Sequence, residues 1–129
     1  MSPVTRASRV LVVDDHLPMV DFIATCLASH GYVVEDALDG TEAITLLDAG
    51  RAAQRYSVVL LDMELPQVDG LGVLRHLRAV GDGVAVIAMS ADEAHLAAAQ
   101  AFGVRETLRK PFDLADLVML VQRHAPPPS

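Results

Sequence analysis

Five side chains in this sequence have the types and positions to support chemistry together. Asp14, Asp15 and Asp62 are carboxylates, Ser90 offers a hydroxyl, and Lys110 is the only lysine among ten basic residues. The acids and the serine each close a short apolar run, and Lys110 follows a shorter run of mixed character. Short apolar runs that end in polar residues predict buried strands. The chemistry is therefore expected at strand ends.

Three carboxylates brought close together repel one another unless a cation lies among them. Oxygen ligands without histidine or cysteine select a hard ion such as Mg²⁺, which binds few protein ligands and leaves positions for phosphoryl oxygens. Lys110 would add a second positive charge and Ser90 a hydrogen-bond donor. We therefore expect Asp62, the central carboxylate, to accept a phosphoryl group covalently.

Each of these residues also has a simpler interpretation when it is taken alone. Asp14 or Asp15 before a helix is as well explained as a helix N-cap, and Ser90 before a helix is more often a cap than a phosphate ligand. Lys110 is more often part of a solvated or structural ion pair, and Asp62 fits an ordinary turn. The functional interpretation depends on one chemistry recurring at four of five predicted strand ends.

The elements that must position these residues alternate along the chain. Apolar runs predict strands at 9–15, 32–35, 57–62, 84–90 and 106–109. Helical spacing and glycine stops predict helices at 17–30, 41–49, 71–80, 92–102 and 113–124. Strands too apolar for exposure on either face indicate an α/β fold, with a doubly wound parallel sheet of five strands.

The bulk composition limits the class of protein. A chain of 129 residues with 52% hydrophobic and 21% charged residues fits a single globular domain. We assign 9–124 to this domain, 1–8 to a flexible N-terminus and 125–129 to a C-terminal tail or the start of a linker. The net charge of −7 argues against direct nucleic-acid binding. The lack of a long apolar run or signal pattern argues against membrane insertion and predicts a cytoplasmic location.

The motifs at the strand ends, in their order and spacing, resemble those of the receiver domains of two-component response regulators, including single-domain chemotaxis-type regulators. The resemblance covers nearly the whole chain and is carried by 12–15, 60–66 with 69–70, 89–91 and 110–112. It implies a flavodoxin-like (βα)5 fold with strand order 2-1-3-4-5. It also implies phosphorylation of Asp62 by the phosphohistidine of a sensor histidine kinase or a histidine phosphotransfer protein.

The resemblance further implies a role for each residue of the pocket. Asp15, Asp62 and the main-chain carbonyl of Glu64 would hold Mg²⁺, with Asp14 acting through water. Glu64 is also one of two acids, with Asp92, at positions that in this family tune how fast the acyl phosphate hydrolyses. The alternative for both acids is a solvated loop or first-turn position.

Ser90 and Lys110 would bind the phosphoryl group, according to the same resemblance. The chain departs from the family pattern at Thr107, where receivers usually have the Tyr or Phe that moves with the Ser/Thr switch residue. Two routes for the signal stay open: Thr107 moves with Ser90, or the output passes through the fourth helix without a rotating ring. Arg109 is an unusual charge on a short strand, which an edge position would accommodate.

Two helices carry more apolar residues than one buried stripe needs. Met19 and Phe22 on the first helix are candidate contacts for the phosphodonor, and the alternative is a wide core-facing stripe. Met119 and Leu120 on the last helix are candidates for a homodimer or effector contact, on the face made by the fourth helix, fifth strand and fifth helix.

Two other functions compete with a phosphorylation switch. A phosphatase that uses an aspartyl-phosphate intermediate, similar to the haloacid dehalogenases, wants an aspartate two places after the nucleophile, where this chain has Glu64. A receiver-like interaction module that is never phosphorylated usually loses acidic residues of the pocket, and this chain keeps Asp14, Asp15 and Asp62. The kinase, the pathway and the output are not encoded in these motifs.

Overall fold

A parallel five-stranded sheet forms the centre of the molecule. The computed structural model describes residues 8–125. The sheet has the order β2-β1-β3-β4-β5, which confirms the predicted fold class and strand order. Its strands are β1 (Arg9–Val13), β2 (Val33–Ala37), β3 (Val58–Asp62), β4 (Val86–Ser90) and β5 (Glu106–Arg109).

Helices connect the strands and cover both faces of the sheet. The described helices are α1 (Leu17–Ser29), α2 (Gly40–Asp48), α3 (Ala52–Arg55), α4 (Gly70–Ala79), α5 (Glu93–Ala101) and α6 (Leu114–His124). Helices α2, α4 and α5 pack on one face of the sheet, and α1 and α6 pack on the other. Five of the six were predicted, with ends within two residues of those observed.

The four-residue helix α3 was not predicted. Its first turn is capped from a distance, since Asp82 accepts hydrogen bonds from the amides of Ala52 (2.6 Å) and Ala53 (3.1 Å). A cap supplied from 30 residues away is invisible to local pattern analysis.

Alternation along each strand explains why there are two cores. Successive strand residues point to opposite faces, so Leu11 and Val13 lie in one apolar cluster while Val10 and Val12 lie in the other. All four side chains are fully buried. The sheet therefore has no solvated face at β1, as the continuous apolar run predicts.

The ends of the domain differ slightly from the predicted limits. Residues 1–7 and 126–129, which belong to the predicted tails, lie outside the described residues. The Ser8 carbonyl accepts a hydrogen bond from the amide of Val33 (2.9 Å). Ala125 is buried, and its carbonyl accepts a hydrogen bond from the hydroxyl of Tyr32. Both residues are thus tied to the folded domain rather than to a tail.

The four candidate partner residues on α1 and α6 differ in exposure. Phe22 is 60% exposed and Met119 is 50% exposed, whereas Met19 is half-buried against the core. Leu120 is only 9% exposed and belongs to the core cluster. Its assignment to a partner surface was wrong, because α6 turns Leu120 toward the sheet with Leu117.

None of the helices within residues 8–125 combines the length and the apolar character needed to cross a membrane.

Candidate functional site

The parallel strands bring the predicted residues to one edge of the sheet. Asp14 directly follows β1, Asp62 and Ser90 are the last residues of β3 and β4, and Lys110 directly follows β5. In an open parallel sheet, ligands bind in the crevice beyond the carboxyl ends of the strands. All of these residues are gathered there, at the edge of the sheet where the sequence predicts that they meet.

Three carboxylates form the floor of this crevice. One carboxylate oxygen from each of Asp14, Asp15 and Asp62 lies within 4.8 Å of the others. Asp14 is fully buried and Asp62 is 4% exposed, while Asp15 is exposed to solvent. Three hard oxygen donors with one open side suit Mg²⁺, which binds a few carboxylates and keeps several waters. The donor set therefore fits the expected ion.

Backbone amides orient the two buried carboxylates. The Oδ1 atom of Asp14 accepts a hydrogen bond from the amide of His16 (2.9 Å), and Oδ1 of Asp62 accepts one from the amide of Glu64 (3.0 Å). In each case the backbone amide two residues after the aspartate donates back to the carboxylate of that aspartate. The turns fix both carboxylates before any ligand binds.

Lys110 lies between Asp14 and Asp62 and contacts the second oxygen of each carboxylate. Its Nζ atom lies 2.8 Å from Oδ2 of Asp14 and 3.3 Å from Oδ2 of Asp62. Burial pulls the pKa of Lys110 down, but the hydrogen bond to Asp14 and the charges of Asp62 and Asp14 outweigh burial, and the pKa is raised. The lysine is therefore a permanent positive charge beside Asp62.

The environment of Asp62 disfavours its charged form. Burial is the largest effect and, together with the nearby charge of Asp14, raises the pKa of Asp62 from 3.8 to about 6. The hydrogen bond from the Glu64 amide and the charge of Lys110 act in the opposite direction. A cation that binds beside Asp62 would restore its charge, so the site is poised to bind one.

The hydroxyl of Ser90 is committed to another residue in this structure. Ser90 is fully buried, and its Oγ donates a hydrogen bond to Oε1 of Glu64 (2.7 Å) while accepting one from the amide of Asp92 (2.9 Å). The same Glu64 oxygen lies 3.1 Å from Nδ1 of His95. The hydrogen bonds from Ser90 and His95 lower the pKa of Glu64 below its usual value.

Three further residues that the sequence singled out lie around the pocket, and the structure shows the position of each. Asp92 is the N-cap of α5, since its Oδ1 accepts a hydrogen bond from the amide of Ala94 (2.8 Å). Thr107 is half-buried and lies opposite Ala88 in the pairing of β4 with β5. Arg109 lies on the edge strand, exposed, and forms an ion pair with Glu93.

Sequence reasoning missed His95. It lies in the first turn of α5, five residues after Ser90, and reaches the pocket only through Glu64. The available signal was its place one turn after a strand-end serine. That signal is weak, because the partner of His95, Glu64, is 31 positions away in the sequence.

Comparison with known proteins assigns the family. The sequence profile of the response regulator receiver domain matches residues 10–122. The chain belongs to this family, whose members are signalling phosphoacceptors rather than classical enzymes.

Two curated relatives that match this sequence are response regulators. The chain is 37% identical over 112 residues to the response regulator MprA of Mycolicibacterium vanbaalenii, and 35% identical over 112 residues to MprA of Mycobacterium ulcerans. In both cases the alignment covers 85% of this chain and 47% of the relative. The chain thus spans about half the length of the curated relatives it matches.

Solved structures share the fold. The receiver domain of the Francisella response regulator 1452 superposes with a TM-score of 0.81 at 30% identity, covering 90% of this chain and 94% of that one. The chemotaxis protein CheY4 of Vibrio cholerae gives 0.80 at 24% identity, covering 92% and 99%. The second likeness supports the fold alone.

Proposed function

We propose that this chain accepts a phosphoryl group on Asp62 in a Mg²⁺-dependent reaction and switches a partner-binding surface in response. The observation that carries the proposal is the convergence of three carboxylates and the only lysine on one crevice, with Asp62 at its centre. The donor would be the phosphohistidine of a sensor histidine kinase or of a histidine phosphotransfer protein.

In the proposed reaction an oxygen of Asp62 forms a bond to phosphorus as the bond from phosphorus to the donor's histidine nitrogen breaks. The electron pair of the broken bond returns to that imidazole nitrogen, and the imidazole leaves as a neutral group when its other ring nitrogen carries a proton. Such transfers depend mainly on positioning and charge neutralisation. The Glu64 amide holds one Asp62 oxygen, which fixes the carboxylate for attack.

Asp14, Asp15, Asp62 and the main-chain carbonyl of Glu64 would hold the magnesium ion. When bound, the ion supplies positive charge that offsets the carboxylates and the incoming phosphoryl oxygens. Lys110 already contacts two of these carboxylates and would move its ion pair to a phosphoryl oxygen.

Ser90 would donate its hydroxyl proton to another phosphoryl oxygen, as part of the same proposal. Glu64 and Asp92 would affect the lifetime of the phosphorylated state, and Asp62 would still accept the phosphoryl group without them. Thr107 would replace the usual aromatic residue, and its part in the switch stays a prediction.

Two surfaces would meet partners. Exposed Phe22 and half-buried Met19 on α1 would contact the phosphodonor, because α1 begins directly beside Asp14 and Asp15. The face formed by α5, β5 and α6 would meet a second copy or an effector, and exposed Met119, which lies on α6 beside Cys26 and His30 at the C-terminal end of α1, would add a contact at its border. The net charge of −7 makes direct nucleic-acid binding unfavourable, and a cytoplasmic location stays a prediction from sequence.

The test is labelling with acetyl phosphate and Mg²⁺, followed by intact mass and mapping of the modified residue. We expect one phosphoryl group per chain, none in Asp62→Asn, and normal labelling in Asp116→Asn, an exposed acid on α6. Release of many phosphates per chain would favour the phosphatase. Absence of labelling in the unaltered chain would favour the interaction module. Either result would overturn the proposal.

The proposed docking surface has its own test. Phe22→Ala should slow transfer from a phosphorylated histidine phosphotransfer protein while leaving labelling by acetyl phosphate unchanged. An equal effect on both donors would show that Phe22 supports the fold rather than a partner.

A further inference from the structure

A chain of hydrogen bonds leads from the buried pocket to the first turn of α5. Ser90 Oγ donates to Oε1 of Glu64 at 2.7 Å, and His95 Nδ1 lies 3.1 Å from the same oxygen. Ser90 is fully buried, whereas the side chains of Glu64 and His95 are about half exposed, at 50% and 46%. These hydrogen bonds therefore connect the interior of the site to the surface.

The hydroxyl of Ser90 can serve only one acceptor at a time. A serine hydroxyl carries a single proton, and here that proton goes to Glu64. One lone pair of the same oxygen is also used, by the amide of Asp92 at 2.9 Å. Ser90 must break its bond to Glu64 before it can donate to a phosphoryl group on Asp62.

We propose that Glu64 and His95 form a latch that holds Ser90 in the resting state and opens when Asp62 is phosphorylated. We call these two side chains the Ser90 latch. Within it His95 is a positioning residue: it does not touch the reacting atoms, and it holds the Glu64 carboxylate where Ser90 donates to it. This inference rests on the proposed function and adds a regulatory step to it.

The latch provides a route for the signal in this protein, which has Thr107 on β5 where receivers usually have an aromatic residue. His95 and the N-cap Asp92 both belong to the start of α5, and both are connected to Ser90, one through Glu64 and one through its own amide. A movement of the Ser90 hydroxyl toward Asp62 changes both connections together. The start of α5 therefore responds to the pocket without a rotating aromatic ring.

A double-mutant cycle separates the latch from simple charge repulsion. Beryllofluoride with Mg²⁺ serves as the phosphoryl probe, and its affinity is measured for the unaltered chain, Glu64→Ala, Ser90→Ala and the double variant. We expect Glu64→Ala to bind the probe about fivefold more tightly, since one partly exposed hydrogen bond no longer competes. The gain should vanish in the Ser90→Ala background.

An undiminished gain in the Ser90→Ala background would assign the effect to the charge of Glu64 and overturn the latch. An unchanged affinity in Glu64→Ala would overturn it as well. Failure of the unaltered chain to bind beryllofluoride would overturn the proposed function, and the role of the latch with it. These results are therefore distinguishable.

His95 has a matched control elsewhere on the surface. His76 forms a similar pair with Asp48 at 2.7 Å, away from the pocket residues. We expect His95→Ala to raise probe affinity about twofold, His95→Gln to keep the original affinity by retaining an N–H donor, and His76→Ala to change nothing. Equal effects of His95→Ala and His76→Ala would overturn the positioning role.

A measurement without any ligand tests the resting state directly. In the absence of Mg²⁺, Ser90→Ala should shift the side-chain nitrogen resonances of His95 and leave those of His76 in place. Unmoved His95 resonances would show that the bond chain is not formed in solution and would overturn the proposal.

Discussion

The Nζ atom of Lys110 lies 2.8 Å from Oδ2 of Asp14, although the two residues are 96 positions apart in the sequence. Asp14 is fully buried and Lys110 is half-buried, so this ion pair lies largely inside the protein. Removing one member of a buried ion pair leaves an uncompensated charge, which costs more than the pair contributes.

Lys110→Met should therefore lower the free energy of unfolding at neutral pH by about 3 kcal/mol. Denaturant titration monitored by circular dichroism measures the change. The double variant Asp14→Asn with Lys110→Met should regain part of the loss, because the buried Asp14 charge is removed while Asp62, the second carboxylate beside Lys110, still lacks its cation. A double variant as unstable as Lys110→Met would show that the lysine acts through packing instead.

Asp62 should make stability depend on pH in a direction unusual for an acid. Because its pKa rises from 3.8 to about 6 on folding, the native state binds the proton more tightly than the unfolded chain. Its contribution to stability is thus favourable at low pH, falls as pH rises between about 4 and 6, and is fully lost above that window.

Asp62→Asn should accordingly be more stable than the unaltered chain at pH 7.5, by about 2 kcal/mol, with the difference vanishing near pH 4. Unfolding midpoints measured across pH without divalent ions check this. Asp116→Asn, at an exposed site, should stay within about 0.5 kcal/mol throughout. A pH-independent difference for Asp62→Asn would contradict the assigned cause.

Mg²⁺ should raise the melting temperature of the unaltered chain, because a ligand that binds only the native state stabilises it by mass action. The gain is about 2.7 kcal/mol when the ion is at 100 times its dissociation constant. Asp15→Asn should lose most of this gain with little effect on stability in the absence of the ion, since Asp15 is exposed. Asp21→Asn, an exposed acid on α1, should keep the full gain.

Differential scanning fluorimetry with and without a chelator measures both effects. A chain whose melting temperature ignores Mg²⁺ would contradict the assignment of the three carboxylates to a metal site.

Gly70 lies against the backbone at the end of β3, which carries the proposed phosphorylation site Asp62. A Cβ atom added there would lie 2.6 Å from Cα of Met63 and 3.0 Å from the carbonyl oxygen of Asp62. Gly70→Ala should cost about 2 kcal/mol, because backbone atoms must shift to accept it. It should also slow labelling of Asp62 by acetyl phosphate.

Gly50→Ala is the matched control, since an added Cβ there meets nothing within 4 Å. Chemical denaturation of both variants checks the comparison, and equal stabilities would contradict the close approach at Gly70.

Local sequence patterns were sufficient to predict most of the fold and the edge of the sheet where the candidate site residues meet. A valine-rich run closed by an acid is recognised within a few residues, and parallel strands place all such ends at one edge of the sheet. This is why Asp14, Asp62, Ser90 and Lys110 were predicted together and are found together. The family profile over residues 10–122 agrees with this prediction of fold and class.

The sequence by itself determined which chemical groups stand at the strand ends, because apolar run length and the polar residue that follows are local properties. Only the tertiary structure decided how those groups are paired. In the folded protein Lys110 forms an ion pair with Asp14, the hydroxyl of Ser90 donates a hydrogen bond to Glu64, and Leu120 is buried in the core. Each depends on distances between residues far apart in the chain, and those distances exist only once the helices have packed on the sheet.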